Sequence, residues 1–545
     1  MKCFYRYRII ALFLFNHLLL ISLSAQTNEN IAPLHIPLLL SGNFGELRAT
    51  HFHSGVDIKT KGVVGLPVLC VNDGKVARVK VSATGYGNAL YIEHPDGTTT
   101  VYGHLQRFNW QITEVIRRIQ YATESFEIDE DMSGHKLFFR KGDTVAYSGN
   151  TGSSGGPHLH FEYRNTVSEH TLNPLHYLKV KDNIAPRIRT LYIYGIDQQG
   201  RVKILKRCEV KNLGNNRCVF AKMQLPAGKI GIGLYITDAM NDSWNKLGVY
   251  ALAIRVNGEE KFGLKVDSAA FGQGSLVNGL KDFRLYRERH ETVYRCFGNH
   301  LPDLMGVKLE GDGSIFLQKG EVVNFEITAA DVYGNTTRLS FQLTGGNERK
   351  EETATVLPVG RPQLLKAGNY TLELAAKSLF NAVDRIQLID SAGCFVTSYR
   401  EEPLYQKARL HVKGEFGEKA VICRIKEKGD PEACVTKRDS SGLYSLVNFL
   451  GKYRVTEDTC PPEIEYLGVM GSGVKFKIRD KLSGIQFYRV EVNGRWCLFE
   501  YDAKSGILNG RKNEPAFVRG QSNQLVIKVT DRVGNSALKR FSIRI

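Results

Sequence analysis

From about residue 40 to its end the chain is cut by turn chemistry every few residues, and the pieces between the cuts are β-branched and aromatic. Residues 63–71, 75–81, 89–93 and 98–102 read as strands. Asn72-Asp73-Gly74, residues 82–88 and His94-Pro95-Asp96-Gly97 supply the turns between them. Pieces this short cannot bury an apolar face alone, so a mainly β chain whose strands pack together is expected. One stretch breaks the rhythm. At residues 111–122, Ile112, Val115, Ile116 and Ile119 recur at helical spacing, inside a segment of about 107–137 that reads as an insertion.

A chain of 545 residues exceeds one ordinary core, so several domains are expected. Beyond Asn183-Ile184-Ala185-Pro186 the strands lengthen and an internal repeat appears. Gly248-Val249-Tyr250 through Val256-Asn257-Gly258 matches Gly484-Ile485-Gln486 through Val492-Asn493-Gly494 at one offset. Asp331-Val332-Tyr333-Gly334-Asn335 matches Asp531-Arg532-Val533-Gly534-Asn535 at a shorter one, so the first copy carries an insertion. Val-Asn-Gly reads as a tight hairpin turn in each copy, and Asp-x-x-Gly-Asn as a second turn before a last strand. These landmarks resemble the immunoglobulin-like sandwiches that bacteria append to envelope proteins. The expected division is a leader at 1–25, a first domain at 26–182, a β-sandwich with an insertion at 183–345, a β-rich domain of illegible fold at 346–459, and an immunoglobulin-like sandwich at 460–545.

The leader has the layout of a signal peptide: Lys2, Arg6 and Arg8, an apolar run over residues 9–23, then Ser22-Leu23-Ser24-Ala25 for cleavage before Gln26. The run is short for spanning a bilayer, and no later stretch reaches that length. An exported protein without a transmembrane segment after cleavage is expected, in the periplasm or cell envelope or secreted. A net charge of +17 suits an anionic envelope or an acidic polymer. No basic cluster interleaved with aromatics marks a nucleic-acid motif, so nucleic acid is not an expected partner. Of ten cysteines, Cys3 lies in the leader, and the odd remainder excludes complete internal pairing. Cys208 with Cys218, or Cys423 with Cys434, sits at a spacing that closes a short loop. No C-x-x-C pair exists, and Cys70 between Leu69 and Val71 reads as a small buried apolar residue.

Three signals carry chemistry. His53-Ser54-Gly55-Val56-Asp57 is H-x-x-x-D, Tyr102-Gly103-His104-Leu105 places a histidine at a strand end, and His158-Leu159-His160 is H-x-H followed by Phe161-Glu162. Residues two apart in a strand share a face, so His158 and His160 converge, and so do His53 and Asp57 in an extended segment. Catalytic zinc takes three nitrogen or oxygen ligands at about 2.0–2.2 Å and keeps one position open. Two imidazoles and one carboxylate leave the ion electrophilic. A glycine-rich loop, residues 149–157, runs into the H-x-H strand and permits close backbone approach. No H-E-x-x-H helix is present.

In this order the motifs resemble the lysostaphin-like (LytM-type) zinc endopeptidases. Asn43-Phe44-Gly45-Glu46-Leu47-Arg48 and His51-Phe52-His53 resemble the exported Gram-negative members that carry extra β domains. The likeness covers about residues 40–180. It implies a small antiparallel β-sheet metallopeptidase domain, with a groove across it, followed by the immunoglobulin-like domains. It implies one Zn2+ per chain held by His53, Asp57 and His160, with His104 and His158 unligated beside it. One of that pair would take a proton from water and the other would support the oxyanion; sequence does not assign the two parts. Tyr102 could assist the oxyanion or pack in the core, and Glu162 could orient a ligand histidine or lie at the surface. His51 and His94 are expected to be bystanders. The implied activity is hydrolysis of the peptide cross-links of peptidoglycan, with further envelope proteins as partners of the β domains. The rival is a non-catalytic wall-peptide-binding or hydrolase-activating envelope scaffold.

Overall fold

The computed structural model describes residues 30–212, 217–219, 222–350 and 354–545; the expected leader at 1–25 lies outside them. The protein is mainly β. Its first sheet contains β1 (Leu40–Gly42), β2 (Val56–Lys59), β4 (Gly74–Val81), β5 (Ala89–Glu93), β6 (Thr98–Gly103), β8 (Ile128–Asp131) and β11 (His158–Asn165), in the order β1-β2-β11-β6-β5-β4-β8. β11 is interior, antiparallel to β2 on one side and to β6 on the other. Its alternation decides the geometry of the site. Leu159, Phe161 and Tyr163 enter the apolar core with Val56, Ile58 and Tyr102, while His158, His160, Glu162 and Arg164 take the opposite face.

β9 (Phe138–Phe139) adds to β4, and a small second sheet joins β3 (Pro67–Leu69), β10 (Thr144–Tyr147) and β7 (Arg107–Phe108). Only the end of the strand expected at 63–71 pairs. Lys61, Gly62 and Gly65 adopt φ of 57, 76 and 90° and bend the chain, leaving Val63 and Val64 exposed. The expected helix is α1 (Trp110–Thr123). Asn109 caps it by accepting from the Gln111 N–H, Ile112 and Ile116 face inward, and Glu124 ends it in the left-handed region.

Strands between Arg187 and Glu348 form a large sheet around their own apolar core. Between 363 and 457, two five-stranded sheets share another. From Glu463 to Arg544, two four-stranded sheets face each other across Val474, Phe476, Val490 and Ile527. Both Val-Asn-Gly segments make hairpin turns, with φ of 50 and 91° at Asn257 and Gly258 and of 52 and 79° at Asn493 and Gly494. The last two sheets fold back onto α1. Arg117 makes a paired contact with buried Glu514, Tyr121 donates to the same carboxylate, and Trp496 meets the Tyr121 ring edge-on at 5.1 Å.

Cys208, Cys423 and Cys434 are free thiols, so residues 423 and 434 close no loop; the side chain of Cys218 lies outside the described residues. Cys70 is fully buried, and its thiol donates to the Asn72 carbonyl at 2.9 Å. Among the described residues no helix is long and apolar enough to cross a membrane.

Candidate metal centre

Register brings the sequence motifs together. His160 on β11 lies opposite Asp57 on β2 and opposite Gly103 on β6, so the β11 histidines stand over the start of β2 and beside the end of β6. His104 follows β6 at φ 56°, a left-handed turn that carries its ring back to 4.8 Å from that of His158. Nε2 of His53 lies 3.1 Å from Asp57 Oδ1 and 3.1 Å from His160 Nδ1, and His160 Nδ1 is 2.9 Å from Asp57 Oδ1. All three residues are buried.

Hydrogen bonding fixes what these atoms present. His53 Nδ1 donates to the Asn43 carbonyl at 2.8 Å, which leaves its Nε2 with a lone pair. His160 Nε2 donates to Glu162 Oε1 at 2.8 Å, which leaves its Nδ1 with one. Two ring nitrogens and a carboxylate oxygen thus converge on one point, an arrangement that is attractive only with a proton or a cation between them. A tetrahedral ion with bonds of about 2.0–2.1 Å sets its ligand atoms about 3.3 Å apart, so an adjustment of a few tenths of an ångström suffices. The donor set fits zinc.

The surrounding electrostatics point the same way. Burial pushes His53 down to about 4. Burial also opposes charge on His160, but hydrogen bonds to Asp57 and Glu162 outweigh it and raise the ring to about 9. For Asp57 the burial penalty is overcome by the charge of His53 and by hydrogen bonding with His158, His160 and His53, which hold it well below the usual range. The pocket draws one positive charge to its centre.

Glu162 is the buried hub behind the ligands. Ser54 (2.5 Å) and Tyr86 (2.6 Å) donate to its Oε1, and Arg164 donates to its Oε2 (2.7 Å). Burial disfavours its charge, yet Arg164 and the His160 bond bring it down to about 2. Tyr102 lies elsewhere. Paired with Phe161 on β11, it takes the core face, where its ring packs on Phe161 and its hydroxyl accepts from the Val71 N–H at 3.3 Å. Strand alternation therefore excludes it from the oxyanion part. Tyr86, 5.1 Å from the His160 ring, is the phenol nearest the ligands. Arg48 donates to Asp57 Oδ2 and reaches Glu46 at 3.7 Å. Tyr86 and Arg48 arrive from turns without a motif of their own; only the quoted stretch around Asn43–Arg48 hinted at either.

The glycine-rich loop does more than give room. The Thr151 carbonyl accepts from His104 Nδ1 at 2.8 Å, and the Gly156 carbonyl accepts from His158 Nδ1 at 2.8 Å. Both rings therefore present Nε2 to the site. Burial, with the charges of His160 and His158, lowers His104 to about 3, so its Nε2 is a proton acceptor at neutral pH. Gly152 is required here: at φ 68° its backbone abuts Gly87, and a Cβ would stand 2.3 Å from that amide nitrogen. His51 is exposed beside Thr50, and His94 is tied to the Asp73 carbonyl and the Thr100 hydroxyl, away from the site.

Residues 51–126, which include His53, Asp57 and His104, match the family model described as peptidase family M23. The chain carries an M23 peptidase domain. Among curated proteins, a DD-carboxypeptidase/endopeptidase (Mpg) of Neisseria meningitidis is 31% identical over 151 residues, 27% of this chain and 28% of that one. The peptidoglycan DD-endopeptidase ShyB of Vibrio cholerae is 32% identical over 110 residues, 20% of each chain. The chain thus spans less than a third of the length of these relatives. Among solved structures, the catalytic domain of lysostaphin from Staphylococcus simulans matches 26% of this chain and 91% of its own, at 23% identity and a TM-score of 0.20.

Proposed function

We propose that this chain is a zinc-dependent endopeptidase that hydrolyses peptide cross-links of peptidoglycan in the cell envelope. The observation that carries the reading is the convergence of the His53, Asp57 and His160 lone pairs beside two further histidines whose Nε2 atoms face the same space. The names of the relatives, a DD-endopeptidase and a DD-carboxypeptidase/endopeptidase, support the substrate class. In this reading His53, Asp57 and His160 hold one zinc ion. Bound zinc supplies Lewis-acid chemistry, polarising a carbonyl and acidifying water. His104 or His158 accepts a proton at Nε2, and the other, once protonated, donates from Nε2 to the developing oxyanion. Glu162 keeps His160 in the tautomer that offers Nδ1, and the loop carbonyls keep His104 and His158 in the tautomer that offers Nε2.

The reading includes export under the leader at 1–25, to the periplasm or beyond, and division of the remainder at 26–182, 183–345, 346–459 and 460–545. Units 183–345 and 460–545 are immunoglobulin-like in this reading, and the β units position the enzyme among other envelope components. His160→Ala should lose zinc and abolish release of peptide fragments from purified sacculi. Undiminished cleavage by that variant refutes the site. Stoichiometric zinc with no cleavage by the parent chain would instead favour a wall-peptide-binding scaffold.

A further inference from the structure

Three aspartates far apart in sequence meet behind the first sheet. Asp182 lies on the segment leaving that sheet, Asp238 follows the strand Met223–Thr237, and Asp331 follows the strand Val322–Ala330. One carboxylate oxygen of each lies within 4.8 Å of the others. Asp238 is only 5% exposed, and its Oδ1 is buried with no hydrogen-bond partner. Leaving such an oxygen unsatisfied is costly, and native folds rarely tolerate it without an ion or ordered water. A cavity of about 20 Å³ borders all three carboxylates, room for one ion or one water and nothing larger. Its other walls include Leu40, Met240 and Leu247, and no Lys or Arg lines it.

The arrangement recurs. Asp458, Asp480 and Asp531 form the same kind of group in the C-terminal copy of the repeat. In both copies the Asp-x-x-Gly-Asn turn shapes it. Oδ1 of Asp331 accepts from the Tyr333 and Asn335 amides, and Oδ1 of Asp531 from those of Val533 and Asn535. The asparagine then reaches back to the carbonyl of the first aspartate, Asn335 to Asp182 at 3.3 Å and Asn535 to Asp458 at 2.6 Å. A turn that local chemistry would explain by itself thus closes a carboxylate cluster twice.

We propose that Asp182, Asp238 and Asp331 bind a calcium-type divalent cation at the seam between the peptidase sheet and the strands that follow it. Oxygen-only donors suit a hard cation and distinguish this site from the nitrogen-rich zinc centre. Without a cation the carboxyls repel one another. Burial, then the Ala239 amide pulling the other way, then the charges of Asp331 and Asp182 leave Asp238 at about 8, and burial with Asp331 leaves Asp182 at about 6. The site braces the seam beside Asn43, whose carbonyl orients His53 and whose side chain donates to the Gly248 carbonyl at 2.7 Å.

The test uses the full zinc-loaded chain, dialysed free of calcium and titrated with CaCl2 by calorimetry and thermal melting. One equivalent of calcium should bind at this site and raise the Tm. Asp238→Asn, close in shape to the protonated acid, should lose that equivalent and the Tm rise with zinc content unchanged. Should Asp238→Asn fail to fold, Asp182→Asn on the half-exposed linker gives the same readout. No calcium-dependent change at millimolar concentrations, or full binding by a folded variant, overturns the proposal.

Discussion

Ser54, Tyr86, His160 and Arg164 all donate to Glu162, which has no solvent exposure. Its removal has two separable consequences. Glu162→Ala frees the His160 tautomer and should weaken zinc retention about 10–100-fold. It also leaves the buried Arg164 guanidinium without a counter-charge, at about 3–5 kcal/mol of stability. Glu162→Gln keeps an acceptor for His160, so zinc retention should largely recover while stability stays low. Chelator competition reads the first effect and chemical denaturation the second; a Gln variant that loses both or neither contradicts these roles. At this scale the ligands were legible because period two places His158, His160 and Glu162 on one face whatever the tertiary fold. The same rule places Tyr102 on the core face once β11 and β6 pair with Phe161 opposite it, and sequence could not supply that register. Tyr86 and Arg48 reach the site from turns, where no period operates.

Helix α1 shows the same division between faces of one element. Ile112 and Ile116, the inward face, produced the helical spacing in the sequence, whereas Arg117 and Tyr121 on the outer side meet Glu514, almost 400 residues on. An ion pair of that separation leaves no periodic trace. Its halves differ in exposure: the Glu514 side chain is 1% exposed and that of Arg117 30%. Arg117→Ala therefore strands a buried carboxylate and should cost about 3–5 kcal/mol. Glu514→Ala leaves an arginine that can turn to water and should cost far less, about 1 kcal/mol. Urea denaturation of the two variants checks the order, and equal losses would show that the pair is not desolvated as the geometry indicates. The strand expected at 63–71 erred for a local reason: apolar content signalled pairing, but left-handed positions at Lys61, Gly62 and Gly65 turned its first residues to solvent.

The last pair of sheets returns to the glycine-rich loop beside the candidate metal centre. Lys504, on a turn of the last pair of sheets, donates to the carbonyls of Asn150 and Ser154. Those carbonyls bracket Thr151, whose own carbonyl holds His104, and precede Gly156, which holds His158. A cavity of about 420 Å³ opens at this junction, floored by Phe108, Ile116 and Leu498 and edged by the loop. The repeat in this unit was readable because its landmarks are local turns; its return to the loop was not, because a single lysine on two backbone oxygens has no sequence signature. Lys504 therefore stiffens the segment that sets both imidazole tautomers from outside the peptidase sheet. Lys504→Met preserves the length of the side chain and removes its donors. Amide exchange across residues 149–157 should accelerate about tenfold, the equivalent of losing a hydrogen bond to a charged donor. Zinc content should stay the same, because His53, Asp57 and His160 do not touch this lysine. Turnover of sacculi should fall with the loosened histidines while substrate affinity changes less. If exchange in the loop is unchanged, the contact carries no constraint, and the C-terminal unit is held by its other contacts, Glu514 with Arg117 and Arg489 with Glu124 among them.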